Sequence, residues 1–175
     1  ELAERYGLEV IEDAAHAVPA SYRGVMVGSR GNFASFSFYA TKNLTTIEGG
    51  ALTGRPDLLD QARVIGLHGM SRDAWKRFDK SGSWDYDVEM PGFKYNMTDV
   101  QAAVGMHQLR KLDGFHARRR EVVELYRAAL GDDPGFELPS ELPHASSAWH
   151  LFVLRLRPER LGIPVPKTIL LPARE

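Results

Sequence analysis

The pattern of apolar and polar residues predicts an α/β unit at the start of the chain. Alternating apolar and small polar residues at 34–38 and 50–53 predict two short strands. An apolar run at 8–11, which ends in two acidic residues, predicts a third, buried strand. Leu2 and Tyr6, four positions apart and followed by a glycine, predict a helix just before it.

Helical spacing returns twice further along the chain. It predicts one helix at 56–67, with a proline in the first turn, and a longer one that begins at Thr98 or Asp99, either of which can cap it. Because the longer pattern exceeds about 25 residues, we expect a kink or break near Asp113 and Gly114.

Two further segments lie outside these helices. Residues 70–91 show no periodicity and form a longer loop than is usual, which favours a functional or a disordered segment. Trp75, Trp84 and Tyr86 argue against disorder. Residues 149–158 alternate in hydrophobicity and predict a strand of a second unit.

Composition excludes several classes of protein. The 175 residues, 43% hydrophobic and 26% charged, are typical of a soluble globular domain. The net charge of −1 gives no general attraction to nucleic acid or anionic membrane, and no run approaches the length of a membrane span. The absence of cysteine excludes disulfides and zinc–thiolate sites. We expect a cytoplasmic protein with neither nucleic-acid nor membrane partners, since the basic run at 118–120 is balanced by Glu121 and Glu124.

A single lysine, Lys42, follows the strand predicted at 34–38. One interpretation is a solvated lysine at a strand end, which is the usual case. The other is a nucleophilic amine in a pocket, because a lysine that is kept neutral attacks aldehydes. Hydroxyl groups suited to an anion such as phosphate surround it in sequence. They belong to Ser35, Ser37, Thr41, Thr45 and Thr46.

Asp13 and His16 follow the strand predicted at 8–11, where ligand sites of α/β sheets gather. The aspartate is either a helix cap or a carboxylate that pairs with a protonated ring nitrogen. The histidine, taken alone, is more often a structural hydrogen-bonding group than a catalyst. A lysine, an acid and several hydroxyls are together the groups that pyridoxal phosphate (PLP) requires. These residues therefore suggest a PLP site in which Lys42 moves a proton.

Five segments occur in the same order as the motifs of one enzyme family. They are VIEDAAHA, SFSFYATKNLTTIEGGAL, LHGMSRDAW, GFKYNMTDVQAAVGMHQL and AWHLFVLRL. Over residues 1–157 the chain resembles the DegT/StrS family of sugar-nucleotide aminotransferases, which are fold type I PLP-dependent enzymes. The resemblance implies an α/β fold, with part of the aspartate aminotransferase-like large domain in residues 1–110. A linking helix and an incomplete small C-terminal α/β domain would follow in residues 111–175.

The resemblance also implies the roles of individual residues. Lys42 resembles the catalytic lysine that is linked to the cofactor, and Asp13 the partner of the pyridine nitrogen. His16 matches a position that contacts the ring near its phenolic oxygen, and Ser37 the phosphate-binding serine. Asn96 resembles an asparagine that reaches the cofactor phosphate of the neighbouring subunit, which implies a homodimer with shared active sites. No metal is implied.

The substrate is implied in the same way. His68 and the loop after it resemble a segment beside the sugar-nucleotide site. The family transfers an amino group, usually from glutamate, to a keto sugar on a nucleoside diphosphate, for surface polysaccharide or amino-sugar synthesis. A lysine at position 42 favours this transfer over dehydration, because related dehydratases carry histidine there. The alternative is a non-enzymatic remnant or a regulatory relative that keeps the fold.

The chain departs from the family pattern in three places. Ile47 replaces the first glycine of a GEGG motif, and a β-branched residue there is strained if the backbone has a positive φ. A phosphate turn and a ring-stacking aromatic that precede the aspartate motif in the family are missing, and the resemblance ends after about Arg157. The chain also lacks an initiating methionine. We therefore expect it to be part of a longer protein and to have little or no transaminase activity alone.

Overall fold

The structure is a computed structural model that describes residues 2–31, 33–71 and 87–162. Its helices, in chain order, are α1 (Leu2–Tyr6), α2 (Pro56–Gly66), α3 (Asp99–Leu130) and α4 (Pro158–Leu161). Its strands are β1 (Ile11–Asp13), β2 (Ser21–Tyr22), β3 (Val25–Met26), β4 (Phe33–Ser37), β5 (Gly50–Thr53), β6 (Phe136–Glu137), β7 (Ala145–Ser146) and β8 (Arg155–Leu156).

The described strands form three small sheets, with the orders β1-β4-β5, β3-β2-β7 and β6-β8. In the first sheet β4 is central, parallel to β1 and antiparallel to β5. Asp13 pairs with Ser35 in this sheet, and Ser37 pairs with Gly50. Because parallel strands end on the same side, the carboxyl ends of β1 and β4 face one edge together.

The long helix begins at a capping box. The Thr98 hydroxyl accepts a hydrogen bond from the Gln101 amide, and the Gln101 side chain accepts one from the Thr98 amide at 2.9 Å. Two amide groups that a helix start would leave without partners are satisfied in this way. The helix then continues through Asp113 and Gly114, so the predicted break is wrong. A glycine lowers the stability of a helix by only about 1 kcal/mol, and the helical turns on either side can offset that loss.

A well-buried segment follows Lys42. Asn43, Leu44 and Thr46 are each less than 9% exposed, and Thr46 is almost completely enclosed. Ala148 and Trp149 are equally buried, and the Asn43 side chain bonds the Ala148 carbonyl. The segment that follows the candidate lysine is therefore packed, and it is bonded to the segment that carries Ala148.

Most of the predicted elements are present, with shifted ends. The strand predicted at 8–11 is found at Ile11–Asp13, and only Arg155–Leu156 of the strand predicted at 149–158 is a strand. Most of the predicted irregular loop, residues 72–86 with Trp75, lies outside the described residues. The division into two domains stays a prediction.

Candidate active site

The candidate site lies at the edge where β1 and β4 end. β1 ends at Asp13, and the next amide, of Ala14, donates to the Ser35 carbonyl at 2.9 Å. β4 continues to Ser37, which the pleat places on the same face as Ser35. The strand pairing therefore fixes how far the segment after Asp13 lies from the segment after Ser37.

Lys42 sits on a closed loop between β4 and β5. The Phe38 amide donates to the Gly49 carbonyl at 2.8 Å, and the Thr46 amide donates to the Phe38 carbonyl at 2.9 Å. Inside the loop, the Lys42 amide donates to the Tyr39 carbonyl at 2.9 Å. Backbone hydrogen bonds at both ends hold this loop in one shape. The lysine side chain is half-buried, so the interpretation of a fully solvated lysine is not supported.

A narrow cleft, too small to hold a water molecule, brings three of the predicted site residues together. His16, Ser37 and Lys42 line it, and its remaining walls come from Ala15, Val18, Asn43, Leu44 and His150. The Ser37 hydroxyl oxygen accepts a hydrogen bond from the Tyr39 amide at 3.4 Å. Because that bond uses the oxygen as an acceptor, the hydroxyl proton can be donated to a ligand.

Asp13 adjoins this cleft through the chain that leads to His16. One carboxylate oxygen, Oδ1, accepts a hydrogen bond from the Ala15 amide at 3.1 Å. The residues after it form a turn rather than a helix, so the aspartate stabilises a turn instead of capping a helix. Its side chain is exposed, and Oδ2 receives no hydrogen bond from the described residues. That second oxygen can bind a ligand.

Two residues of the cleft were not predicted from the sequence. Asn43 is 7% exposed, and its Nδ2 donates to the Val18 and Ala148 carbonyls at 3.0 and 2.7 Å. Its Oδ1 lies 3.1 Å from Nδ1 of His150, whose ring centroid is 4.3 Å from that of His16. The position of Asn43 beside Lys42 was a signal in the sequence. His150, by contrast, lies 107 residues from Asn43 along the chain.

His150 is shifted toward its neutral form. Burial of the ring lowers the pKa of His150, and the nearby His16, Lys42 and Arg119 lower it further. Burial acts because a charged imidazolium loses its hydration, and the neighbours act because they disfavour another positive charge. The guanidinium of Arg119 reaches this region by donating to the carbonyl of Trp149 at 3.3 Å.

Asn96 and His68 do not line this cleft. Asn96 borders a separate, mainly apolar groove of about 630 Å³, between the first sheet and α2, and accepts a hydrogen bond from the Lys94 amine. His68 follows α2 with a φ of 58° and an exposed side chain. Its amide donates to the Phe93 carbonyl at 2.8 Å. Their predicted roles, at a neighbouring subunit and beside the sugar nucleotide, stay predictions.

Ile47 has the backbone conformation that glycine favours. Its φ is 73°, as the replaced glycine of the motif indicated, while its amide donates to the Thr45 hydroxyl at 2.9 Å. A residue with a Cβ atom pays about 1–2 kcal/mol in this region. The side chain is 61% exposed, so little burial offsets that cost.

We expect Ile47→Gly to raise the free energy of unfolding by about 1 kcal/mol, because the relief of strain exceeds the extra chain entropy of glycine. Urea unfolding followed by circular dichroism measures this change. Val100→Gly is the matched control, since Val100 is also β-branched and exposed but lies in α3. It should lower stability by a few tenths of a kcal/mol. Equal losses in both variants would show that Ile47 is not strained.

Two kinds of feature are absent from the described residues. No group of three or more His, Cys, Asp or Glu side chains in the described ranges is placed to hold a metal ion. None of the described helices is both long and apolar enough to cross a bilayer.

Comparisons with known proteins agree with the motifs and the geometry. A sequence profile of the DegT/DnrJ/EryC1/StrS aminotransferase family matches residues 1–165. The spore coat polysaccharide biosynthesis protein SpsC of Bacillus subtilis is 48% identical over 163 residues, which are 93% of this chain and 42% of SpsC. The chain thus spans less than half the length of this relative.

Solved structures of similar proteins share the fold. The aminotransferase TlmJ from Streptoalloteichus hindustanus has a TM-score of 0.79 at 33% identity, over 90% of this chain and 41% of TlmJ. The PLP form of Spr1654 from Streptococcus pneumoniae has a TM-score of 0.75 at 29% identity, over 89% of this chain and 39% of that protein. They confirm the predicted α/β fold, that of the fold type I PLP-dependent transferases. The chain belongs to the DegT/DnrJ/EryC1/StrS aminotransferase family.

Proposed function

We propose that the protein containing this chain is a PLP-dependent aminotransferase that acts on a keto sugar linked to a nucleoside diphosphate, with glutamate as the amino donor. The observation that carries the proposal is the shared cleft of His16, Ser37 and Lys42 beside the end of β1. Family membership and the PLP form of Spr1654 support the cofactor. The name of SpsC supports a place in polysaccharide synthesis.

The residues present fit PLP by their chemistry. The half-buried Lys42 supplies an amine for the aldehyde, and the hydroxyl proton of Ser37 supplies a donor for the phosphate. Oδ2 of Asp13 supplies a carboxylate for the pyridine nitrogen. His16 lies in the same cleft, with its ring available to contact the cofactor ring.

Each side chain has a defined part in the proposed reaction. PLP, when bound, supplies an electron sink for the carbon that loses a proton. Asp13 holds a proton on the pyridine nitrogen, because a carboxylate next to that nitrogen favours its charged form. Lys42 would hold the cofactor through its Nζ and, once that amine is free, would carry a proton between two carbon atoms. Ser37 and His16 keep the cofactor in one orientation.

Asn96 belongs to the proposed dimer. Its position, away from the Lys42 cleft and bordering a different groove, is compatible with a role at a second subunit's cofactor. We propose a homodimer on this basis, with His68 beside the sugar nucleotide. Light scattering of the purified protein measures the oligomeric state, and a monomer that retains full activity would exclude a shared site.

Transfer of ¹⁵N from labelled glutamate to a panel of nucleoside-diphosphate keto sugars tests the proposed function. The protein is expressed from the complete open reading frame that contains this sequence and is loaded with PLP. We expect a visible absorbance band of lysine-linked PLP and ¹⁵N in at least one amino-sugar product. The absence of both the absorbance band and ¹⁵N transfer, with every sugar tested, would contradict the proposal and favour the non-enzymatic alternative.

A further inference from the structure

The side-chain amide of Asn43 has only one possible orientation. Its Nδ2 donates to the carbonyl oxygens of Val18 and Ala148, with nitrogen–oxygen distances of 3.0 and 2.7 Å. Carbonyl oxygens only accept hydrogen bonds, so a flipped amide would place Oδ1 against two acceptors. In a side chain that is 7% exposed, that arrangement would leave buried polar groups without partners. The Oδ1 atom therefore faces His150.

This orientation determines which nitrogen of His150 carries a proton. Oδ1 of Asn43 is 3.1 Å from Nδ1 of His150 and can only accept. Nδ1 must therefore be the donor. When the ring is neutral, the second nitrogen, Nε2, carries no proton and is a hydrogen-bond acceptor.

The groups around the ring favour its neutral form. His16 on the segment after β1, Lys42 on the loop after β4 and Arg119 on α3 all lower the pKa of His150, and burial lowers it most. The His16 and His150 rings meet at 4.3 Å with a tilt of 56°. His150 and Lys42 line the same cleft. Among the residues that line the cleft, Lys42, Ser37 and His16 have side chains that can donate a hydrogen bond to the Nε2 lone pair.

We propose that Asn43 and His150 are positioning residues for Lys42. Asn43 fixes His150 as the neutral tautomer with a proton on Nδ1, and Nε2 of His150 accepts a hydrogen bond from the Lys42 amine. A carboxylate in this place would hold the lysine as a charged ammonium. A neutral imidazole orients the amine and still allows it to lose and regain a proton. The catalytic meaning of this arrangement rests on the proposed function, whereas the tautomer does not.

Long-range ¹H–¹⁵N correlation spectra of the histidine rings test the tautomer without cofactor. There are six histidines in the chain, and the signals of His150 are those lost in His150→Gln. We expect a proton on Nδ1 at neutral pH and a titration midpoint below that of an ordinary histidine. Lys42→Ala should shift the Nε2 signal and leave Nδ1 nearly unchanged. A proton on Nε2, or an Nε2 signal insensitive to Lys42→Ala, would overturn the proposal.

Two substitutions at His150 separate positioning from mere structural support. The side-chain oxygen of glutamine can reach the place of Nε2, while that of asparagine reaches only the place of Nδ1. In PLP-loaded protein, we expect His150→Gln to keep transamination within about fivefold and His150→Asn to lose about tenfold or more, with a changed pH profile. The reverse order would show that only the contact with Asn43 matters. If wild-type protein binds no PLP, the proposed function fails, and the ring spectra still decide this inference.

Discussion

Replacing Lys42 with alanine is expected to remove the absorbance band of lysine-linked PLP and to lower transamination by about 10³-fold or more. The loss is large because one amine both holds the cofactor and moves the proton in the proposed reaction. The fold should be retained, since the backbone of the loop is held by bonds at Phe38, Thr46 and Gly49 that the side chain of Lys42 does not make.

Lys111→Ala is the control for this substitution. Lys111 is an exposed residue of α3, away from the cleft, so its removal should change neither the band nor the rate. Spectra and ¹⁵N transfer are compared in both variants and in wild type. A Lys42→Ala protein with wild-type turnover would contradict the assignment of the lysine. It would also favour a regulatory relative that keeps the fold without the chemistry.

Gly69→Ala is expected to lower the free energy of unfolding by about 3 kcal/mol or more. Gly69 has a φ of 70°, and an added Cβ atom would lie 1.7 Å from the carbonyl oxygen of Met90. The backbone would have to move to relieve this clash. That movement would disturb the two hydrogen bonds of the Gly69 backbone, which donates to the Val64 carbonyl and accepts from the Glu89 amide. The substitution would therefore loosen the connection after α2, next to His68.

Gly114→Ala is the matched control, because an added Cβ atom at Gly114 meets nothing within 4 Å. Gly114 lies inside α3, where alanine is the better helix former by about 1 kcal/mol. Urea unfolding should thus show a gain for Gly114→Ala and a large loss for Gly69→Ala. Similar small effects at both positions would show that the close approach of Met90 is not a real constraint.

The local signals in the sequence predicted the elements whose ends depend on nearby residues. The strand at Gly50–Thr53 was predicted with the correct ends, and α2 ends within one residue of its predicted end. Thr98 caps α3 through Gln101, three residues away. Such ends are set by turns, prolines and caps within a few positions, which a single sequence displays directly.

Elements that depend on distant partners were less predictable. β1 begins at Ile11, where pairing with Phe33 of β4 begins, rather than at the start of the apolar run. In the strand predicted at 149–158, Trp149 has a φ of 47°, which is not a strand conformation. Its ring instead packs beneath the guanidinium of Arg127 on α3, 5.2 Å away. Hydrophobic alternation alone contains no information about either partner.

In the candidate site, too, residues in local motifs were predicted and a residue that is distant in the sequence was missed. Lys42, Ser37 and His16 were predicted as site residues from short motifs, and the structure places all three in one cleft. His150 was missed because its contact with Asn43 joins residues far apart in the sequence, whereas Asn43 was missed although it follows Lys42 directly. Ile47 was visible in the sequence as a departure from a glycine motif, and its φ of 73° is the positive value at which a β-branched residue is strained.

Reduction of the PLP-loaded protein with borohydride, followed by peptide mass spectrometry, shows which lysine is linked to PLP. Borohydride turns the link between PLP and its lysine into a stable pyridoxyl-lysine, so the modified residue can be read from the peptide masses. The protein is expressed from the complete open reading frame that contains this sequence. We expect one pyridoxyl group, on Lys42. A pyridoxyl group on a different lysine, or the absence of any pyridoxyl-lysine, would contradict the assignment of Lys42.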